Sequence, residues 1–220
     1  MTDTISALFN KVEEEINKRY ELEFKLYQNR INPHMLYNTL DTISWIALLE
    51  GNDKIVEMNK LLADIYRYSI KYTDSMAKLS EELECVKKYI MLQRIRNEYS
   101  IILDIIGNEY DNIYVPQCIL QPIFENSIVH GGDVSKGELI IRIRIAVADE
   151  TASITIEDNG KGCDINEVNK LFENSQNMNK VGLKNVNARI KLKFGDKYGL
   201  RVENGLNGGT KVVISIPVVY

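Results

Sequence analysis

The chain has 220 residues, of which 45% are hydrophobic and 26% charged, the balance of a folded globular protein rather than a disordered one. Its formal charge of -4 and its pI of about 5.4 exclude the broad basic surface that direct nucleic-acid binding requires. Three cysteines without C-x-x-C spacing exclude a disulfide framework and a zinc site, and they fit a reducing cytosol.

The first half of the sequence has the period of amphipathic helices. Apolar residues recur every three or four positions from residue 5 to residue 31, which predicts one long helix. Asn32-Pro33 interrupts this pattern beside His34, because a mid-helix proline removes a backbone donor and costs ~3 kcal/mol. The pattern resumes over residues 36–49, stops at Gly51-Asn52-Asp53 and returns over residues 55–66. We therefore expect a long helical hairpin that pairs with a second copy into a four-helix bundle.

Composition changes after residues 71–75, which we take as the boundary between a domain of residues 1–75 and one of residues 76–220. A helix over residues 79–98 is expected to open at Ser80, with Glu81 and Glu82 in its first turn. The apolar period then changes to two. Strands are predicted at 100–106, 138–147, 153–157, 200–203 and 211–217, and helices at 117–130, 166–172 and 182–194. The second half is therefore a mixed sheet with helices, and the fold class is α+β.

A short acidic and glycine-rich string follows the strand predicted at 153–157. Asp158 stands at the strand end, and Gly160 and Gly162 stand in the turn beyond it. A carboxylate can accept a hydrogen bond from an adenine amine, and glycines let backbone approach a flat ring or a phosphate closely. The same string also occurs in ordinary strand-to-helix turns, so by itself it favours a turn without a ligand.

Asn126 and His130 lie one helical turn apart and share a face of the helix predicted at 117–130. An asparagine oxygen is a suitable ligand for Mg²⁺ that arrives bound to phosphates. Helix capping or a surface position is the simpler explanation for such a pair taken alone.

Two further glycine segments lie downstream. Gly182-Leu183 opens a helix after a polar loop over residues 173–180, and free amides at a helix N-terminus can bind phosphate. Gly208-Gly209-Thr210 precedes the last strand. Each segment alone is explained by a cap or a hairpin, but their order and spacing argue against four independent turns.

Taken together, these segments resemble the nucleotide-binding boxes of the ATPase fold shared by histidine kinases, DNA gyrase, Hsp90 and MutL, over about residues 79–220. Residues 31–40, INPHMLYNTL, resemble the phosphoacceptor motif of the LytS/YesM group of sensor histidine kinases. Residues 120–131 and 182–190 are also similar to segments of that group. The resemblance implies a dimerising helical hairpin followed by a two-layer α/β sandwich that binds ATP, the Bergerat or GHKL fold.

The resemblance also implies roles for single residues. His34 would accept the γ-phosphoryl group, Asn38 would orient its imidazole or assist hydrolysis of the phosphohistidine, and Asn126 would coordinate Mg²⁺. Residues 173–181 would form a lid. ATP would be contacted by Asn126, His130, Asp158, Gly160, Gly162, Lys180, Gly182, Leu183 and Thr210. Lys180, Lys184 and Arg189 are the cations available near the phosphates, although solvated surface positions explain them equally well.

The sequence departs from the group's pattern at two places. Met35 stands where phenylalanine is common, a change that conserves volume. Lys180 stands where the lid usually has a glycine, which affects the expected geometry of the lid. Unlike in the larger histidine kinase families, no acidic residue directly follows His34, so we assign no general base for phosphotransfer.

Rival interpretations share the ATP site. An ATP hydrolase or clamp of the gyrase or Hsp90 kind has a glutamate one turn before its metal asparagine, where this chain has Pro122. Glu125 lies about 100° around the helix from Asn126. A serine-phosphorylating anti-sigma factor would not need the N-terminal hairpin. The alternative that we keep is a degenerate kinase or GHKL-type clamp that signals by conformational change without phosphotransfer.

The resemblance implies a homodimer and a response regulator whose receiver-domain aspartate takes the phosphoryl group. No apolar stretch approaches the ~20 residues that span a bilayer. We expect membrane attachment only through N-terminal segments absent from this chain. The expected location is the cytoplasm, as the cytoplasmic portion of a membrane sensor.

Overall fold

The structure is a computed structural model that describes residues 33–71, 76–96, 100–107, 110, 112–131, 137–165, 168–169 and 181–218. The helix predicted over residues 5–31 and most of the helix predicted over 166–172 lie outside these residues. The chain divides into two compact units, residues 1–59 and residues 60–220. The domain boundary that we place at residue 75 stays a prediction.

Two helices and a tight turn cover residues 33–71: α1, Pro33–Leu49, and α2, Asp53–Lys71. The amide of Asn52 donates to the carbonyl of Ala47 at 2.8 Å, and the amide of Gly51 to that of Leu48 at 3.1 Å. This pair of bonds is the Schellman motif, which satisfies carbonyls at the end of α1. The Asn52 side chain then accepts the amide of Ile55 at 3.3 Å and caps α2. The predicted stop and restart of helix at this turn are confirmed.

The second unit contains the C-terminal part of α2 and a mixed sheet with helices. Its strands are β1 (Met76–Lys78), β2 (Ser100–Ile106), β3 (Tyr114–Pro116), β4 (Glu138–Ala148), β5 (Thr151–Asp158), β6 (Gly199–Asn204) and β7 (Thr210–Pro217). Its further helices are α3 (Leu79–Arg96), α4 (Gln121–Gly131) and α5 (Val181–Phe194), with a 3₁₀ turn at Leu206–Gly208. The main sheet has the order β2-β4-β5-β7-β6, with only its β2–β4 pair parallel, and β1 pairs with β3 separately.

The main sheet is buried on one face. Alternate residues of its central strands are buried, including Ile141 and Ile143 of β4, Ile154 and Ile156 of β5, and Ile214 of β7. These side chains form one apolar core with buried residues of α3, α4 and α5. Burying one face of a sheet against a layer of helices gives the two-layer α/β sandwich, and the predicted α+β class is confirmed.

Two local predictions in this unit were wrong. The helix predicted from residue 117 begins at Gln121, because Gln117 and Cys118 form a turn in which Cys118 has a φ of 55°. The strands β1 and β3 were missed, since three residues are too few to show a period and only their pairing makes them strands. Within the described residues, no helix has both the length and the hydropathy to cross a membrane.

Candidate functional site

A cavity of about 410 Å³ lies in the second unit, beside α4, the end of β5 and the start of α5. Six residues predicted from the sequence line it: Asn126, Asp158, Gly162, Gly182, Leu183 and Thr210. The other lining residues are Ile123, Ser127, Gly131, Cys163, Asp164, Val168 and Val212. The four predicted segments therefore meet at one concave and mostly apolar site, the usual form of a small-molecule site.

Asp158 is the buried anionic group of this cavity, with 4% of its surface exposed. It is the last residue of β5 and has the same parity as the buried Ile154 and Ile156, so its side chain lies on the helix-covered face. Its Oδ2 accepts the hydroxyl of Ser127 at 2.9 Å. Its Oδ1 accepts the amides of Gly160 at 2.9 Å and Thr210 at 3.2 Å.

These three bonds leave acceptor capacity on one oxygen. A carboxylate offers about four acceptor positions, two on each oxygen. Both positions on Oδ1 are occupied by backbone amides, while Oδ2 has one bond from the residues that the structure describes, that of Ser127. Asp158 can therefore accept one more hydrogen bond through Oδ2, which suits a ligand that carries an amine.

Glycine is required where the end of β5 meets its neighbours. A Cβ on Gly160 would lie 2.7 Å from the carbonyl oxygen of Gly131 and would overlap the Gly131 Cα. A Cβ on Gly209 would overlap the carbonyl oxygen of Asp158. Since these neighbours are backbone atoms that cannot rotate away, side chains are excluded at both positions. The end of α4 and the start of β7 can therefore approach Asp158 closely.

Two residues that sequence reasoning did not assign hold Asp158 in place. Ser127 supplies the hydroxyl bond described above. Asn159 accepts the amide of Ile140 at 2.8 Å and donates to the carbonyl of Glu138 at 3.2 Å, which fastens the turn after Asp158 to β4. The positions of both residues beside predicted site residues were the only signal for them in the sequence.

Asn126 lies on α4, next to the start of α5. A Cβ built on Gly182 would be 3.9 Å from the Asn126 side-chain nitrogen, which places these two predicted residues together. His130 lies in the last turn of α4, but its side chain is outside the described part of the structure, as are Lys180 and residues 173–180 of the predicted lid. Their predicted roles stay predictions.

The cationic candidates on α5 do not line the cavity. Neither Lys184 nor Arg189 is among its lining residues. Arg189 donates instead to the carbonyl of Gln117 at 2.5 Å. This contact gives Arg189 a structural role, as a tie between α5 and the turn that precedes α4.

His34 lies in the first unit, near the start of α1, where its side chain is exposed. The side-chain nitrogen of Asn38, one helical turn later, is 3.2 Å from His34 Nδ1. Asn38 thus contacts Nδ1 of the imidazole.

The cavity fits a purine nucleotide better than a metal cluster. It has an apolar lining, one buried carboxylate with a position for an amine, and backbone that closely surrounds its polar end. Among the residues that the structure describes, no three His, Cys, Asp or Glu side chains are grouped to hold a metal ion. A cation in this cavity would depend on Asn126 and on oxygens of the bound molecule.

Comparison with known proteins gives two adjacent family matches. Residues 22–101 match the family described as histidine kinase, and residues 115–220 match the histidine kinase-, DNA gyrase B-, and HSP90-like ATPase family. The sensor histidine kinase YesM of Bacillus subtilis (strain 168) is 35% identical over 94% of this chain and 36% of its own length. This chain belongs to the histidine kinases. The kinase chain is also 33% identical to the sensor histidine kinase YpdA of Escherichia coli (strain K12), over 89% of this chain and 34% of that relative.

A solved structure has a similar fold over about two thirds of the chain. The catalytic domain of histidine kinase ThkA matches 67% of this kinase chain and 98% of its own, with a TM-score of 0.53 and 16% identity. At that identity the match concerns the fold alone. The chain spans about a third of the length of the two sensor kinases that it matches.

Removing the Ser127 hydroxyl should weaken nucleotide binding by the kinase. Ser127→Ala deletes one hydrogen bond to the buried carboxylate of Asp158, and one such bond contributes about 1 kcal/mol. We expect about a fivefold loss of affinity for a non-hydrolysable ATP analogue, measured by calorimetry. Ser153→Ala, on the strand β5 that carries Asp158, is the control, since Ser153 is not among the lining residues. Equal affinities in the two variants would contradict this role of Ser127.

Cys163 should be the first cysteine of the kinase to react with iodoacetamide at neutral pH. It is exposed and lines the cavity, whereas Cys85 is buried and Cys118 half-buried. Burial raises the pKa of Cys85 to about 12 and that of Cys118 to about 11, so neither forms much thiolate. Peptide mass mapping should find label on Cys163 first. The ATP analogue should slow the labelling of Cys163. Cys163→Ser should remove the fast phase of labelling. A labelling rate of Cys163 that is the same with and without the ATP analogue would contradict the placement of Cys163 in the nucleotide cavity.

Proposed function

We propose that this chain is the catalytic core of a two-component sensor kinase, which binds Mg-ATP, phosphorylates itself on His34 and passes the phosphoryl group to a response-regulator aspartate. The observation that carries this proposal is the buried carboxylate of Asp158, with one acceptor position open in a cavity that Asn126 also lines. The same chain presents an exposed histidine on α1. The family membership of both halves supports the combination.

Nucleotide recognition begins at Asp158. The open position on Oδ2 would accept the exocyclic amine of adenine, with Thr210 and Gly162 beside it in the cavity wall. Gly182 and Leu183, in the first turn of α5, would lie near the phosphates, where free amides and the helix dipole favour negative charge.

Asn126 is the residue that would hold Mg²⁺ together with phosphate oxygens. When bound, the ion neutralises negative charge on the phosphates. Asn126 suits this task because its amide oxygen is a neutral ligand that does not repel the phosphates.

His34 would act as the nucleophile. A ring nitrogen attacks the γ-phosphorus, the bond to the bridging β–γ oxygen breaks, ADP leaves with that electron pair, and the imidazole loses a proton. A neutral imidazole has a free lone pair on only one nitrogen. Asn38, whose side-chain nitrogen lies 3.2 Å from Nδ1, would orient the ring.

ATP hydrolysis receives no comparable support. Pro122 occupies the position where a hydrolase would have its water-activating glutamate, one turn before Asn126. Glu125 accepts a hydrogen bond from the side chain of Gln121 at 2.9 Å and does not line the cavity. Water activation by Glu125 is therefore not part of the proposed mechanism.

Dimerisation through the helical hairpin is part of the proposal. Large apolar side chains on α1 are exposed, with Trp45 at 66% and Leu49 at 84%. An exposed apolar helix face of this kind marks an interaction surface. A second copy would cover it in a four-helix bundle, and the response regulator would approach the exposed His34. We place the kinase in the cytoplasm, joined to the membrane only through segments outside this chain.

Labelling with γ-labelled ATP and Mg²⁺ tests the proposal. Wild type should take up label that is lost in acid and kept in base, because the phosphoramidate bond of phosphohistidine is labile to acid. His34→Ala should bind the ATP analogue normally without taking label, and Asn126→Ala should lose label because its cation site is broken. Wild type that binds nucleotide but takes no label would replace the proposal with a kinase that signals by conformation alone.

A further inference from the structure

A buried carboxylate outside the cavity has no part in the mechanism above. Glu82, in the first turn of α3, is 1% exposed. It accepts the backbone amides of Cys118 at 2.6 Å and Leu120 at 3.1 Å, and also the hydroxyl of Tyr68. Three donors from two separate segments therefore converge on one carboxylate, an arrangement that makes its hydrogen bonds strong and directional.

The two amides belong to residues 117–120, which we call the pre-α4 turn because α4 begins at Gln121. Cys118 has a φ of 55° in this turn, a conformation that residues other than glycine rarely adopt. Its bond to Glu82 helps to hold that conformation, and Arg189 of α5 holds the carbonyl of Gln117 from another side. Since α4 carries Asn126, the pre-α4 turn sets the position of a residue in the cavity.

The last part of α2 is attached to the same turn. The hydroxyl of Tyr68 donates to Glu82, and the side-chain nitrogen of Gln117 donates to the carbonyl of Tyr68. In the chain, α2 is the helix that directly follows the His34 helix α1. Movement of this part of α2 would therefore reach the pre-α4 turn through two hydrogen bonds.

The contact between α2 and α3 includes an ion pair and borders an open groove. Lys88 of α3 forms an ion pair with Asp64 of α2 at 2.7 Å, and both side chains are partly exposed. An open groove of about 300 Å³ is lined by residues of both helices, including Tyr68 and Cys85. A contact made of a few directional bonds beside an open groove can break and re-form more readily than a closely packed apolar one.

We infer that the Tyr68–Glu82 hydrogen bond is a positioning device for phosphoryl transfer, linking α2 to the pre-α4 turn and through it to Asn126. The inference rests on the proposed function, since it assumes transfer to His34. Neither Tyr68 nor Glu82 lines the nucleotide cavity, so both are positioning residues. Losing the bond leaves the nucleotide site assembled but lowers the fraction of molecules in which α4 is correctly placed for transfer.

Tyr68→Phe in the 220-residue chain tests this inference, because it removes one hydroxyl and keeps the ring. We expect kcat for autophosphorylation to fall about tenfold, while KM for ATP and Kd for the ATP analogue stay within about twofold. Tyr66→Phe is the matched control on the same helix, where no hydrogen bond of the hydroxyl is found among the described residues. A kcat for Tyr68→Phe equal to or above that of Tyr66→Phe would overturn the inference.

A second readout does not depend on phosphorylation. Amide hydrogen exchange in the pre-α4 turn should speed up at least about threefold in Tyr68→Phe and stay unchanged in Tyr66→Phe. If wild type takes no label, the proposed function fails while exchange still decides whether Tyr68 is coupled to α4. If amide exchange in the pre-α4 turn is the same in Tyr68→Phe as in wild type, Tyr68 is not coupled to α4, even if the kinase is active.

Discussion

Asp158→Asn is expected to lower the affinity of the kinase for ATP about a hundredfold without unfolding it. The backbone amides of Gly160 and Thr210 both donate to Oδ1 and cannot reverse, so the oxygen of an asparagine must take that position. Its nitrogen then replaces Oδ2, where the hydroxyl of Ser127 can rotate to accept from it. The adenine amine would meet a second donor there instead of a charged acceptor, a loss of about 3 kcal/mol.

Inosine triphosphate provides the matched comparison, because its ring has an oxygen acceptor where adenine has the amine. Wild type should prefer ATP, and Asp158→Asn should lose that preference as its nitrogen donates to the inosine oxygen. Calorimetry with both nucleotides measures the ratio of the two dissociation constants. An unchanged ratio would show that Asp158 does not read this position of the base, whatever the absolute affinities.

Gly160→Ala is expected to destabilise the second unit by about 3 kcal/mol and to abolish nucleotide binding. The added methyl would overlap the Cα of Gly131 and lie 2.7 Å from its carbonyl oxygen. The clash is relieved only if the end of α4 and the turn after β5 move apart. Overpacking usually costs about 1–3 kcal/mol, and a clash between backbone atoms belongs at the upper end of that range. Urea unfolding followed by circular dichroism measures the change.

Gly182→Ala is the control for this substitution, because it also changes a glycine of the cavity wall. Among the described residues, a methyl there would approach nothing closer than 3.5 Å, and Gly182 lies within the helix α5. Alanine should therefore leave stability unchanged or raise it by up to about 1 kcal/mol, the ordinary helix preference. Similar losses of stability in both variants would mean that the close approach at Gly160 is not what constrains the site.

The sequence predicted most of the elements that hold the site because their signals are local. The period-two pattern of β4 and β5 placed Asp158 at a strand end, and the Gly51-Asn52 cluster marked the turn between α1 and α2. These signals depend on the alternation of side chains along a strand and on the end of a helix, which the chain determines over a few residues. The same local rule failed before α4, where apolar residues suggested helix and the chain instead makes a turn.

Contacts between residues far apart in the sequence decided the features of the site that local signals did not predict. In the sequence, Glu82 is one of two acidic residues in the first turn of a helix, a pattern typical of solvent-exposed charges that favour the helix dipole. The structure buries it against amides 36 and 38 residues away and against Tyr68. Ser127 likewise has its role through Asp158, 31 residues later in the chain.

The sequence by itself determined the fold class, the order of the nucleotide-binding segments and six of the residues that line the cavity. Hydrophobic period and turn residues act locally, and they can be read without knowing what the chain packs against. The tertiary structure alone decided which acceptor position of Asp158 is open, why Gly160 tolerates no side chain, and that Glu82 joins α2 to the pre-α4 turn. Each of these depends on atoms from distant segments meeting at hydrogen-bond or van der Waals distance, which only the folded chain brings about.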